Sequence, residues 1–120
     1  MSKVLIVDDD DTMVSLLHTL LKLEGYEVID SQDWDGIPDV MASEQPDLVL
    51  MDCILPHSNG LDILARIRSQ PAFDQTAVLM TSGLDVEHRC QALGADGFLL
   101  KPYPPEQLLD LIGNFVDGDE

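Results

Sequence analysis

The chain has 120 residues and a mass of 13.2 kDa, enough for one domain in which folding hides about two-thirds of the unfolded surface, and too short for two. Apolar residues make up 45% of it, which excludes disorder by composition, and no apolar run approaches the ~18 residues of a membrane helix. Twenty-three Asp and Glu stand against six Lys and Arg; the formal net charge of -17 argues against nucleic acid or an anionic membrane surface as a direct partner and favours a cation or a metal.

The opening Met-Ser-Lys leads straight into an apolar run, without a charged n-region, a long h-region or a small-residue cleavage site, so a cytoplasmic protein is expected. Val4, Leu5, Ile6 and Val7 form a continuous apolar run that stops at Asp8, the pattern of a strand buried on both faces. Met13, Leu16, Leu17, Leu20 and Leu21 then recur at helical spacing, with Gly25 as the stop. Tyr26 to Ile29 reads as a second strand, followed by a loop from Ser31 to Gly36 and a short helix opening near Pro38. Leu48 to Met51 is a third strand; Leu61, Leu64 and Ile67 mark a helix ending before Pro71. Val78 to Met80 is a fourth, with a short helix up to Gly94. Phe98 to Leu100 is a fifth, and Leu108, Leu109 and Ile112 face inward from a last helix whose first turn holds Pro104 or Pro105.

Five strands alternating with five helices predict an α/β fold: one domain over residues 1–120, a doubly wound five-stranded parallel sheet with helices on both faces, and a flexible acidic tail at 117–120. There is no internal repeat or linker. Cys53 and Cys90 lie far apart, with no second Cys or His at zinc-ligand spacing; they read as unpaired thiols without a role. His18, His57 and His88 are isolated and read as solvated or loop residues.

In such a sheet, ligands bind at the carboxyl ends of the strands, where the strand order reverses. Asp8, Asp9, Asp10 and Asp11 follow the first strand, Asp52 the third, Thr81 and Ser82 the fourth, and Lys101 with Pro102 the fifth, all on one edge. Three carboxylates drawn from two strand ends repel one another unless a cation sits among them, and oxygen-rich ligation without imidazole suits Mg²⁺. A lysine and a hydroxyl beside a metal-bound carboxylate make a phosphoryl site, with a carboxylate as nucleophile. Helix capping is the plain reading for Asp10 or Asp11, whose carboxylates suit free backbone N–H groups at a helix start.

The run Val4 to Asp9 (VLIVDD), the stretch Pro46 to Gly60 (PDLVLMDCILPHSNG) and the segment Gly94 to Tyr103 (GADGFLLKPY) resemble, in order and spacing, the receiver domain of two-component response regulators over essentially the whole chain. The resemblance implies a flavodoxin-like fold with strand order 2-1-3-4-5 and phosphorylation of an aspartate by a histidine kinase or histidine phosphotransfer protein. It makes Asp52 the phosphoacceptor, followed by Pro56 and Gly60 of the family's loop. Mg²⁺ falls to Asp8, Asp9, Asp52 and the backbone carbonyl of Ile54, with Asp9 the more direct ligand and Asp8 acting through water. Lys101 and Ser82 would bind the phosphoryl oxygens, with Thr81 as second choice for the hydroxyl because it sits directly before Ser82; Gly83, a small residue after Ser82, favours Ser82. Ser82 and Phe98 match the switch pair, and Pro102 a proline whose preceding bond is usually cis.

The resemblance further implies a stand-alone, chemotaxis-regulator-like phosphoacceptor rather than an enzyme. Its output would reach a downstream protein through the face formed by the fourth helix, fifth strand and fifth helix. The segment from Ser82 to Gly94 is a few residues shorter than is common in the family, so a shorter fourth helix is expected on that face. Ile54 and Leu84, two residues beyond site residues, are apolar and unsuited to orienting water, so slow self-dephosphorylation is expected. Trp34, between Asp33 and Asp35, is either a contact residue or a lid over the second helix. Two other classes compete. Asp8, Asp10 and Thr12 also spell the D-x-D-x-T signature of haloacid dehalogenase-like Mg²⁺-dependent phosphatases, with Asp8 as nucleophile, but the chain is short for that core and the reading leaves Asp52, Pro56 and Gly60 unexplained. A receiver-like interaction module that is not phosphorylated is the third.

Overall fold

An unbroken apolar run wastes burial at the rim of a sheet, and Val4, Leu5, Ile6 and Val7 are all fully buried in a central strand. The computed structural model describes residues 2–117; residues 118–120 of the tail expected to be flexible lie outside the described residues. β1 (Lys3–Val7) lies between β2 (Glu27–Asp30) and β3 (Leu48–Asp52), and β4 (Ala77–Ser82) and β5 (Gly97–Leu100) extend the sheet beyond β3. The order is therefore 2-1-3-4-5, with every neighbouring pair parallel.

Strand alternation sends side chains to two separate cores. Leu5, Val7, Val49, Met51, Val78 and Met80 pack against α2 (Ile37–Glu44), α3 (Gly60–Arg68) and α4 (Glu87–Ala92). Val4, Ile6, Leu48, Leu50, Leu79 and Leu99 pack against α1 (Asp11–Leu23) and α5 (Pro105–Gly113). This is the expected doubly wound sheet.

The helix ends follow from local chemistry. The Asp10 side chain caps α1, accepting from the Thr12 and Met13 N–H groups, and Gly25 at φ 90° turns the chain toward β2. Pro38 sits in the first turn of α2, where a missing N–H costs nothing. Asn59 Oδ1 accepts from Leu61 N–H to cap α3. Pro105 opens α5 directly after Pro104.

Several expectations need correction. The buried stripe of α1 is Val14, Leu17 and Leu21; Leu16 is exposed, because one residue from Leu17 is ~100° of helical rotation. Leu109 is only half-buried, while Leu108 and Ile112 point fully inward. Tyr26 is buried but precedes β2. His18 is not isolated: its Nε2 lies 2.8 Å from Asp30 Oδ1, joining α1 to the end of β2. Phe98 is half-buried against the α2–α4 core rather than enclosed by it. α4 is indeed short, at six residues. Between β3 and α3 the chain also forms a two-residue antiparallel ladder, Ile54–Leu55 with Ser58–Asn59, turned by Pro56 and by His57 at φ 56°.

Candidate functional site

β1 and β3 are neighbours in the sheet, yet their crossovers leave in opposite directions along it, which opens a crevice at their carboxyl ends. Asp8 leaves β1 at that edge and Asp52 ends β3 beside it. Both are buried, with 5% and 9% of their surface exposed, while Asp9 is exposed. One carboxylate oxygen from each of Asp8, Asp9 and Asp52 falls within a 4.8 Å group.

Each buried carboxylate has two different partners. Asp8 Oδ1 accepts from the Asp10 N–H at 2.9 Å and Asp52 Oδ1 from the Ile54 N–H at 3.1 Å. Their Oδ2 atoms both face the Lys101 ammonium, at 3.1 Å and 2.9 Å. Burial works to lower the Lys101 pKa, but the bonds to Asp52 and Asp8 and the charge of both outweigh it and hold it above the ordinary lysine value. The Lys101–Pro102 bond is cis. Gly60 lets the loop after Asp52 fold back: a Cβ there would lie 2.1 Å from the Asp52 carbonyl oxygen.

Two buried carboxylates, an exposed third and one lysine leave an excess of negative charge that a divalent cation would neutralise, and an all-oxygen donor set fits Mg²⁺. Asp8, Asp9 and Asp52 form the cluster that could hold it.

Thr81 and Ser82 are both buried, at the end of β4. Ser82 Oγ accepts from the Leu84 N–H at 3.1 Å, and the Ser82 carbonyl accepts from the Lys101 N–H at 2.8 Å. Alternation places Ser82 on the sheet face of Val78 and Met80, against which Phe98 also packs, and Thr81 on the face of Leu79. Thr81 is the register partner of Asp52.

Sequence reasoning passed over two features. Gln32 reaches across from the loop after β2, donating to Asp11 Oδ1 at 3.0 Å, so a neutral amide ties that loop to the acidic edge; the only signal was a lone amide among acids. Cys53 and Cys90, read as distant and unpaired, place their Sγ atoms 3.5 Å apart in the core. Burial pushes the Cys53 thiol up to about 12. Trp34 sits half-buried against the α2–α4 core, in a single helical turn leading into α2.

The sequence pattern of the response regulator receiver domain matches residues 4–113. The chain belongs to that family. The transcriptional regulatory protein CpxR of Escherichia coli (strain K12) is 37% identical over 112 residues, which cover 91% of this chain and 47% of that protein. The alkaline phosphatase synthesis transcriptional regulatory protein PhoP of Bacillus subtilis (strain 168) is 32% identical over 109 residues, 88% of this chain and 45% of that protein. The chain thus spans about half the length of the curated relatives it matches. Among solved structures, the chemotaxis response regulator CheY4 of Vibrio cholerae superposes with a TM-score of 0.88 at 28% identity, over 97% of this chain and 99% of that one. The BeF3-activated N-terminal receiver domain of Klebsiella pneumoniae RstA gives 0.86 at 28% identity, over 95% and 97%.

Receiver domains are phosphoacceptor modules of two-component signalling rather than conventional enzymes; they bind Mg²⁺ in an acidic pocket and interact with histidine kinases or phosphotransfer proteins. A receiver match running nearly end to end displaces the dehalogenase-like alternative, which needs a longer core. Among the described residues, no helix of this receiver domain is long and apolar enough to cross a membrane.

Proposed function

We propose that Asp52 of this receiver accepts a phosphoryl group from a phosphohistidine on a kinase or phosphotransfer protein, and that the resulting acyl phosphate alters a protein-binding face. The observation that carries the reading is the meeting of Asp8, Asp9, Asp52 and Lys101 at the β1/β3 crevice. With Asp52 Oδ1 engaged by the Ile54 N–H, the carboxylate is oriented and Oδ2 is the oxygen that attacks phosphorus. The O–P bond forms as the N–P bond breaks, and the histidine nitrogen keeps the bonding pair. Lys101, already at Oδ2, follows the incoming phosphoryl oxygens and offsets their charge. Mg²⁺, held by Asp8, Asp9, Asp52 and the Ile54 carbonyl, would supply further charge neutralisation there.

Ser82 lies on the same sheet face as Phe98, which supports it over Thr81 as the hydroxyl that turns toward the phosphoryl group, with Phe98 filling the space behind it. The output is then a change in the surface of α4, β5 and α5, read by a downstream protein. We take the receiver to act in the cytoplasm, and the net charge of -17 to keep the receiver itself off nucleic acid and anionic membranes.

The test uses a small phosphodonor with Mg²⁺ and mass spectrometry of the intact chain. Wild type and Asp8→Asn should differ in rate, and Asp52→Asn should acquire no acid-stable, hydroxylamine-labile phosphate. Label that survives in Asp52→Asn would overturn the assignment. A wild-type chain that takes no phosphate and ignores beryllofluoride would instead mark an interaction module that is not phosphorylated.

A further inference from the structure

The two cysteines lie outside the phosphoryl chemistry but directly against it. Cys53 is the residue after Asp52, and Cys90 lies in α4 with its side chain fully buried. Their Sγ atoms are 3.5 Å apart, in contact but not bonded. Closing by about 1.5 Å would bring them to disulfide length.

Both backbones are hydrogen-bonded, but Cys90 bonds to Val86, Leu93 and Ala95, within α4 and at its ends, so it can move with that helix, whereas Cys53 is tied to the sheet and the start of α3. The Cys53 N–H donates to the Thr81 carbonyl at 2.8 Å and its carbonyl accepts from the Gly60 N–H at 2.9 Å, so its backbone is pinned on both sides. α4 has six residues and no side-chain cap at its start, and it follows a loop bearing the exposed Leu84. Short, thinly anchored elements open locally at low cost, so the approach falls to Cys90, and the same opening admits a small oxidant.

We propose that Cys53 and Cys90 are an oxidisable dithiol, at which a hydroperoxide forms an intramolecular disulfide that staples α4 to the strand end carrying Asp52. One thiol sulfur takes the distal peroxide oxygen to become a sulfenic acid, releasing water or an alcohol; the other thiol sulfur then displaces that oxygen as water. Two S–H bonds are lost and one S–S bond forms, and the two electrons and two protons reduce one peroxide. In the arrangement so fixed, Ser82 Oγ accepts from the Leu84 N–H and serves the loop before α4. A staple on α4 therefore restricts the loop that leads into it, and with it the turning of the Ser82 hydroxyl toward a phosphoryl group. This second consequence rests on the phosphoacceptor reading; formation of the bond does not. Coupling is reciprocal, so a ligand that mimics the phosphoryl group must protect the thiols by the factor that the disulfide weakens it.

The test begins with the full-length reduced protein, treated with hydrogen peroxide under native conditions, quenched with N-ethylmaleimide and weighed intact. The expected product is about 2 Da lighter than the untreated chain and carries no maleimide. Cys90→Ala, or Cys53→Ala should the first not fold, forms no such product. Two maleimides per chain after peroxide, oxygen adducts alone, or disulfide-linked dimers would each overturn the dithiol. Mg²⁺ and beryllofluoride are then titrated against Trp34 fluorescence. The oxidised protein should bind about tenfold more weakly, within the usual range of coupling, and dithiothreitol should restore it. Peroxide should leave the affinity of Cys90→Ala unchanged. Equal affinities of the oxidised and reduced wild type would overturn the coupling. A reduced wild type that ignores beryllofluoride would strike the phosphoacceptor reading, while the mass result still decides the disulfide.

Discussion

Among the described residues, Lys101 is the one cation at the pocket's carboxylates, and its two contacts make its charge consequential for both stability and chemistry. Its folded pKa is raised, since the attraction of Asp52 and Asp8 outweighs burial. A base with a raised folded pKa contributes its full stability below the unfolded pKa, near the ordinary lysine value of 10.5, and loses it as pH climbs through the folded value. Lys101→Met should therefore be less stable at neutral pH by about 2 kcal/mol, because two buried carboxylates lose their partner. In urea unfolding, the gap to wild type should hold steady through neutral pH and close only in strongly alkaline buffer; a gap that widened with pH would contradict the ion pair. On the phosphoacceptor reading proposed above, Ile54 and Leu84 bear on a different property, phosphoryl lifetime. Their side chains are 59% and 62% exposed near the pocket and carry no group able to orient a water. Replacement by polar side chains, Ile54→Asn and Leu84→Glu, should speed loss of phosphate by about tenfold in a single-turnover decay, a modest gain by the standard of general-base assistance. Unchanged decay would mean that water access, not orientation, limits the reaction.

At the scale of elements, the sheet's far edge from the pocket is held by one side chain. Arg68, in the last turn of α3, donates to the carbonyls of Gly94, Phe73 and Thr76 and to Asp96 Oδ2, which also accepts from the Val78 N–H. It joins the end of α3 to the start of β4 and to the turn before β5. Gly94, at φ 97°, leaves the room this needs, because a Cβ there would lie 2.9 Å from Arg68 Cγ. Arg68→Ala takes the donor from the Gly94 and Thr76 carbonyls, while the Phe73 carbonyl keeps the Thr76 N–H, and should cost about 2 kcal/mol, seen as a lower urea midpoint with the phosphorylation rate little changed. Nothing in the sequence announced this clamp, since most of its acceptors are backbone atoms of residues whose identity is incidental. The strands were legible for the opposite reason: Val4 to Val7 and Leu48 to Met51 are apolar throughout, and only a strand covered on both faces needs that. The pocket was legible because Asp8, Asp52 and Lys101 each directly follow such a run, and a parallel sheet brings those ends together without further information. The Cys53–Cys90 contact depends on how a six-residue helix settles on the sheet, a packing detail that no spacing of 37 residues encodes. The ladder beside Asp52 was half visible: Pro56 marks its turn and Gly60 follows its last residue, but two-residue strands are too short to show a period.

For the whole molecule, the charge of -17 is mostly unrelated to the pocket. Three carboxylates and one ammonium leave -2 there, which a divalent cation would cancel, so -15 lies elsewhere. Few bases offset it locally: Lys3 reaches Glu27 and Glu44, Arg68 reaches Asp96, and Arg66 spends a hydrogen bond on the Asp35 carbonyl. The surface therefore carries a large excess of acid, and folding brings these charges closer than the unfolded chain does. Salt acts on this directly, since the screening length falls from ~10 Å at 0.1 M to ~3 Å at 1 M. Raising sodium chloride over that range should stabilise the protein by about 1 kcal/mol and lift its melting temperature by several degrees. Exposed ion pairs respond in the opposite sense, and with so few of them the repulsive term decides the sign. Melting curves in sodium and potassium chloride at matched ionic strength separate general screening from binding of a particular cation: coincident curves indicate screening, and a melting temperature that falls with added salt would mean that the scattered pairs, rather than the excess acid, dominate the surface.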